Sequence, residues 1–218
     1  MRTKICGIDT RENAIAALEA GADALGFLVG ITHLAEDKIT TEAAKAIIES
    51  LPPFVSTVAV THLRDTGKIV DMCRYLGVTT LQIHDFLPPE EVAECRRRLG
   101  GVKIIKAVHV IDSEPEKTIA FAQSYVGVCD AILLDSRTAD RLGGTGRTHD
   151  WDISREIVRS TSVPVILAGG LTADNVYAAV RKVRPFGVDV NSGVETDTRK
   201  DPQKMKAFIE AAKRAEAE

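Results

Sequence analysis

No stretch of the 218-residue chain is apolar for long enough to cross a bilayer. The opening residues, MRTKICGID, lack the apolar run of a secretory signal peptide. The four cysteines, Cys6, Cys73, Cys95 and Cys129, are scattered and form no C-x-x-C pair. That argues against a disulfide framework and fits reduced thiols in the cytoplasm. Charge of one sign is missing too. A net charge of −3 with pI ≈ 6.0 offers no broad basic surface, so neither nucleic acid nor an anionic membrane is an expected partner. No Pro/Ser-rich or low-complexity segment divides the chain, and no G-x-G-x-x-G turn follows the first expected strand.

What remains is an ordinary globular composition, 44% hydrophobic and 27% charged. The most informative stretch is AILLDSRTADRLGGTGRTHDW, residues 131–151. It opens as a short apolar strand, 131–134, with Asp135 where that strand should end. A loop holding Gly143, Gly144 and Gly146 follows, and Asp150 and Asp152 flank Trp151 where a helix can start. A carboxylate at a buried strand end before a glycine-rich loop is the pattern of an α/β active site. Taken alone, it is also compatible with an acid that merely caps a loop.

The rest of the chain repeats that unit. Strands are expected at 3–8, 23–29, 54–60, 79–84, 103–108, 131–134, 163–168 and 187–190. Between them lie helical patterns that start near Thr10, Thr40 or Thr41, Asp65, Pro88, Ser113, Asp150, Thr172 and Asp201. Ser113 with Glu116 reads as a capping box, and Gly77 ends the third helix. Eight strand–helix units with little else predict an α/β protein, a single (β/α)8 TIM barrel over residues 1–218. An open doubly wound sheet is the alternative, and it usually has fewer units.

In such a barrel the chemistry sits where the strands end. Those ends carry Cys6, the loop with His33 and Lys38, His62, His84 with Asp85, His109, Asp135, Gly169 with Gly170, and 191–195. AGGLTADN and VDVNSGVE follow strands seven and eight, the usual place of a barrel phosphate pocket made of backbone N–H groups. A phosphorylated small molecule is the expected partner. All five histidines, His33, His62, His84, His109 and His149, fall at strand ends or just after them. Three or four of them converging with Asp85 or Asp135 would suit a divalent metal, but their spacing matches no metal motif, so no metal is assigned. A polar lining of the barrel mouth explains them as well.

Several short runs, taken in order, resemble the phosphoribosylanthranilate isomerase family. They are KICGI, ALGF, LQIH, IKA, LLDS, GGTG, DW, ILAGGL, DN and VDVNSGVE, and they cover the whole chain. The resemblance implies a cofactor-free (β/α)8 enzyme of tryptophan biosynthesis, a monomer or homodimer. It would rearrange an aminoaldose to an aminoketose. An acid protonates the ring oxygen so the sugar opens to a Schiff base. A base then takes the proton from the second carbon, and the enolamine becomes the ketone. By this resemblance Cys6 is the base and Asp135 the acid. His84, Gly144, Gly169, Gly170, Asn191, Ser192 and Gly193 contact the substrate. Cys6 then needs a lowered pKa and Asp135 a raised one.

The family's Ser-Pro-Arg run after strand two, whose arginine is expected to hold the anthranilate carboxylate, is missing. This chain reads VGITHLAEDKIT at 29–40, with no arginine between Arg11 and Arg64. Lys38 is the substitute cation, without a guanidinium's planar fork, while Glu36 and Asp37 would repel a carboxylate they faced. Thr61, His62, Asp85 and His149 also depart from the family's usual residues. A related sugar-phosphate isomerase acting on a different amine, with or without a metal, is the alternative reading.

Overall fold

The computed structural model describes residues 1–32, 37–136 and 148–218. His33, Glu36, Gly143, Gly144 and Gly146 therefore lie outside the described residues.

Eight parallel strands close into a barrel: β1 (Arg2–Ile5), β2 (Ala24–Leu28), β3 (Ser56–Thr61), β4 (Thr80–Ile83), β5 (Lys103–Val110), β6 (Ala131–Ser136), β7 (Val165–Leu167) and β8 (Gly187–Val190). Each is followed by a helix: α1 (Arg11–Glu19), α2 (Thr41–Glu49), α3 (Thr66–Leu76), α4 (Pro89–Leu99), α5 (Pro115–Gln123), α6 (Trp151–Ser160), α7 (Val176–Val183) and α8 (Pro202–Ala217). Pairing of β1 with both β2 and β8 closes the ring, with Lys4 opposite Asp189 at the seam.

Strand alternation sorts the side chains into two cores. Ile5, Leu25, Phe27, Leu81, Ile83, Ile104, Val108, Ile132 and Leu134 point outward and pack against the helices. The alternate positions, including Cys6, Leu28, Val58, Val60, Ile105, Ala107, Leu133 and Ile166, fill the barrel. Both faces are covered, which is why the strands read as near-continuous apolar runs rather than as alternating ones. The same two-residue period carries His62, His84, His109 and Asp135 to the inside at the C-terminal ends.

Most helix starts follow their caps. Thr10, Thr40, Asp65, Asp150 and Asp201 accept hydrogen bonds from first-turn amides. Each such cap is worth about 1 kcal/mol. Gly77 ends α3 with φ of 67°, as expected of a left-handed C-cap.

The differences from the sequence reading are local. The Ser113–Glu116 capping box does not form; α5 begins at Pro115 after Glu114, with no side-chain cap. Helix α7 begins at Val176 rather than Thr172. The Asn175 carboxamide instead closes a turn, accepting from the Thr172 amide and donating to the Gly170 carbonyl. Strand β6 runs on to Ser136, so Asp135 lies within it. A small hairpin, β9 (Glu195–Thr196) with β10 (Arg199–Lys200), follows β8 and was not foreseen. No helix among the described residues is long and apolar enough to cross a membrane.

One buried charge stands apart from the barrel mouth. Lys106 shares the outward side of β5 with Ile104 and Val108 and is 1% exposed. Its ammonium donates to the Ala107 carbonyl and lies over the rings of Phe121 and Tyr125, 5.9 and 5.2 Å from their centroids. No carboxylate among the described residues is within ion-pairing distance of it. Burial pulls its pKa down to about 8, against the partial opposition of Asp85. The folded value lies below the unfolded one of 10.5. The folded chain therefore binds fewer protons between those values, and stability from this group climbs as pH rises through the window. Below pH 8 the buried charge costs about 3 kcal/mol. Lys106→Met is expected to raise unfolding free energy at neutral pH by about 1–3 kcal/mol, after loss of the ring contacts. Urea denaturation at pH 7 and 10 checks this; a variant less stable than the parent at pH 7 would refute it.

Candidate active site

The site is built at the C-terminal end of the barrel from two clusters. On one side Cys6 follows β1 and is 6% exposed, its amide bonded to the Val190 carbonyl of β8 at 2.8 Å. One step below it inside the barrel, the Lys4 ammonium pairs with Asp189 at 2.8 Å and also reaches the Cys6 thiol. Gly26 of β2 makes room for both. A β-carbon there would lie 2.9 Å from Cys6 Sγ and 3.0 Å from Lys4 Nζ. Burial pushes the thiol up to about 11; Lys4 pulls the other way, while Asp189 and Asp37 add to the rise. The lowered thiol pKa expected of the base is therefore not found; the shift is upward.

Asp37 is a neighbour of this cluster. Its Oδ2 accepts from the Asn191 carboxamide at 2.6 Å. Lys200, from the unforeseen hairpin, donates to Asn191 and pairs with Glu195. Lys38 forms a backbone bridge to Leu28 and its residue is exposed. Of the two anions in this loop flagged as repelling a carboxylate, the described one faces the site.

On the other side stand Asp135 and three histidines. Asp135 Oδ2 is 3.4 Å from His84 Nε2, and Asp135 pairs in register with His109 of β5. The rings of His62 and His109 each meet His84 edge-on, at centroid distances of 5.1 and 5.2 Å. Gln82 of β4 supports His84, which directly follows that strand, Nε2 to Nδ1 at 3.2 Å. Burial alone would push the Asp135 carboxyl up. The hydrogen bond and charge of His84, the charge of His109 and the Ser136 amide together outweigh it and hold the carboxyl below its ordinary value. The raised pKa expected of a resting acid is likewise absent.

The remaining candidates separate. Asp85 turns to Arg64, 2.7 Å away, and the charge of His62 also acts on it, but it does not join the His84, His109 and Asp135 set. His149 lies outside the cluster as well. It is buried behind β6, with Nδ1 3.0 Å from Ser136 Oγ and Nε2 against Ser154 Oγ, and burial lowers its pKa. It ties the end of β6 to α6. Gly169 and Gly170 follow β7 with φ of 82° and 65°, and their amides donate to no acceptor among the described residues. Ser192 and Gly193 open a 3-10 turn after β8. Gly193 sits so close to the Leu171 carbonyl that no β-carbon fits, so the two glycine loops are packed into one rim. Gly144 lies outside the described residues. Lys4, Asp189, Gln82 and Lys200 were missed in the sequence reading. An aspartate in otherwise apolar β8 and a lysine beside the buried Ile5 of β1 were the available signal.

The family profile described as "N-(5'phosphoribosyl)anthranilate (PRA) isomerase" matches residues 3–211. The chain belongs to this family. Among named PRA isomerases, that of Methanocella arvoryzae is 45% identical over 211 residues, covering 96% of each chain. The N-(5'-phosphoribosyl)anthranilate isomerase 2 of Methanosarcina mazei is 41% identical over 216 residues, 98% of this chain and 94% of its own. The crystal structure of the Thermotoga maritima PRA isomerase superposes with a TM-score of 0.84 at 36% identity, over 98% of both chains. A PRA isomerase structure in complex with reduced 1-(o-carboxyphenylamino)-1-deoxyribulose 5-phosphate gives 0.79 at 34% identity, again over 98% of both.

The environment of Cys6 makes a direct prediction. Alkylation of Cys6 by iodoacetamide, followed by mass spectrometry, is expected to accelerate with pH through the alkaline range, centred at about 11. Lys4→Met should shift the curve further up. A downward shift would mean that Lys4 does not stabilise the thiolate.

Proposed function

We propose that the chain, as one barrel domain over residues 1–218, catalyses the Amadori rearrangement of N-(5'-phosphoribosyl)anthranilate to 1-(2-carboxyphenylamino)-1-deoxyribulose 5-phosphate. The observation that carries the reading is the placement of Cys6, just after β1, and Asp135, in β6, at the same end of one barrel beside the amides of Gly169 and Gly170, which donate to no acceptor among the described residues. It is the reaction of the family, and it belongs to tryptophan biosynthesis. The free, buried thiols fit a reducing compartment, and we place the enzyme in the cytoplasm.

In this reading the phosphate lies on the amides of Gly169, Gly170, Ser192 and Gly193, with Gly144 closing the site. Backbone N–H groups suit it because they bind an anion without bringing in a titratable group. Asp135 gives its proton to the ring oxygen, and His84, in contact with the carboxylate, is the route by which that proton arrives. The C1–O bond breaks as the nitrogen lone pair forms the C=N bond. Cys6 then removes the proton from the second carbon, and the electron pair flows to the enolamine. The resting thiol and carboxylate hold the same number of protons as the reactive thiolate and acid. Moving one proton between them creates the working form, at a cost in population. Lys4 lowers that cost by standing beside the nascent thiolate. Lys38 serves the anthranilate carboxylate.

Turnover of freshly prepared substrate, followed by loss of anthranilate fluorescence, tests this. The parent should turn over, and Asp135→Asn and Cys6→Ala should each lower kcat by about 10²–10⁴-fold. Lys38→Ala should raise KM with kcat little changed, the signature of lost uniform binding. An unchanged KM would remove Lys38 from the role. No turnover by well-folded parent would refute the proposal.

A further inference from the structure

We propose that His84, His109 and Asp135 form a binding site for a zinc-class divalent transition ion, and that its occupation switches the isomerase off. His84 directly follows β4, and His109 and Asp135 lie in the neighbouring strands β5 and β6; all three line the barrel mouth. Each offers one ligand atom, and these atoms lie within 4.8 Å of one another. Small side-chain rotations bring such a set to the spacing of a tetrahedral ion, which leaves one position for water. Two imidazoles and a carboxylate select zinc, cobalt or nickel over magnesium or calcium, which prefer all-oxygen sites.

The support behind the ligands fits this use. Gln82 is buried beside His84, its Nε2 on Nδ1, while its Oε1 has no hydrogen-bond partner among the described residues. In this orientation the amide donates to Nδ1, which puts the proton of a neutral His84 on Nε2 facing Asp135. Turned over, the amide accepts from Nδ1–H and leaves the Nε2 lone pair for a metal, and the turn breaks no other bond among the described residues. A second polar group holding the far nitrogen is the usual companion of a metal-bound histidine. Bidentate or not, an ion on Asp135 occupies the oxygen that must carry the proton to the sugar. The binding half of this inference stands on the geometry alone; the inhibition half rests on the proposed role of Asp135.

The test uses tag-free protein stripped with a chelator. Titration calorimetry with zinc chloride should show one equivalent bound, confirmed by elemental analysis after gel filtration. His109→Phe and His84→Phe should each weaken binding by about tenfold or more, while circular dichroism shows them folded. Cobalt in place of zinc should give visible bands without a thiolate charge-transfer band, which separates this site from one using Cys6. Zinc should abolish turnover, chelator should restore it, and His109→Phe should resist inhibition relative to its own metal-free rate. Absence of saturable binding, binding unaltered in both histidine variants, or a cobalt–thiolate band would overturn the site. Binding without loss of turnover would overturn the switch. Stoichiometric binding by a protein with no isomerase activity would leave the site standing and refute the proposed reaction instead.

Discussion

The ion pair between Lys4 and Asp189 sits where the barrel closes. The two residues are register partners across the β1/β8 seam and both are buried. Neither charge is tolerable there alone. Removing one partner of a buried pair typically costs about 3–5 kcal/mol, because the other is left without compensation. The same ammonium touches the Cys6 thiol. Closure of the fold and the electrostatics of the thiol are thus held by one group. Gly26 completes the arrangement by yielding the space in which that group and the sulfur meet.

Opposite this seam the charge logic is reversed. Asp135 is stabilised as a carboxylate by imidazoles, as Cys6 is stabilised as a thiol by burial. Each group rests in the protonation state opposite to the one its proposed role uses. On those proposed roles the site holds the right number of protons in the wrong places, and catalysis requires that they be redistributed. A rim of backbone amides, which does not itself titrate, would hold a phosphate without disturbing that count.

The barrel was legible because its grammar is redundant. Eight buried strands, each with a cap or glycine after it, leave little freedom of topology, and strand parity then assigns Cys6, His62, His84, His109 and Asp135 to the interior. What escaped reading depends on contacts between distant strands. Lys4 and Asp189 are 185 positions apart, and neither is interpretable without the other. His149 resembled its fellow histidines in sequence, yet it lies thirteen residues beyond the end of β6, just before α6, and bonds to Ser136 and Ser154. Asp85 looked like a partner of His84 but had Arg64 within reach. The Ser113–Glu116 box failed because Pro115 already fixes the first turn of α5 at a later start. The pKa values of Cys6 and Asp135 depend on burial and on neighbours from several strands and loops, and no local pattern encodes them.

The histidines and Asp135 arrive on consecutive units, β3 to β6, and each neighbours the next in both sequence and space. Their assembly needs only short-range strand–helix–strand closures. The thiol cluster joins the first strand to the last, so it bears the entropy of closing almost the whole chain. Loop-closure entropy alone therefore favours early assembly of the histidine half and late assembly of the thiol half. A chain stopped short of the β1–β8 pairing would hold its imidazoles in place while Lys4 and Asp189 stayed apart.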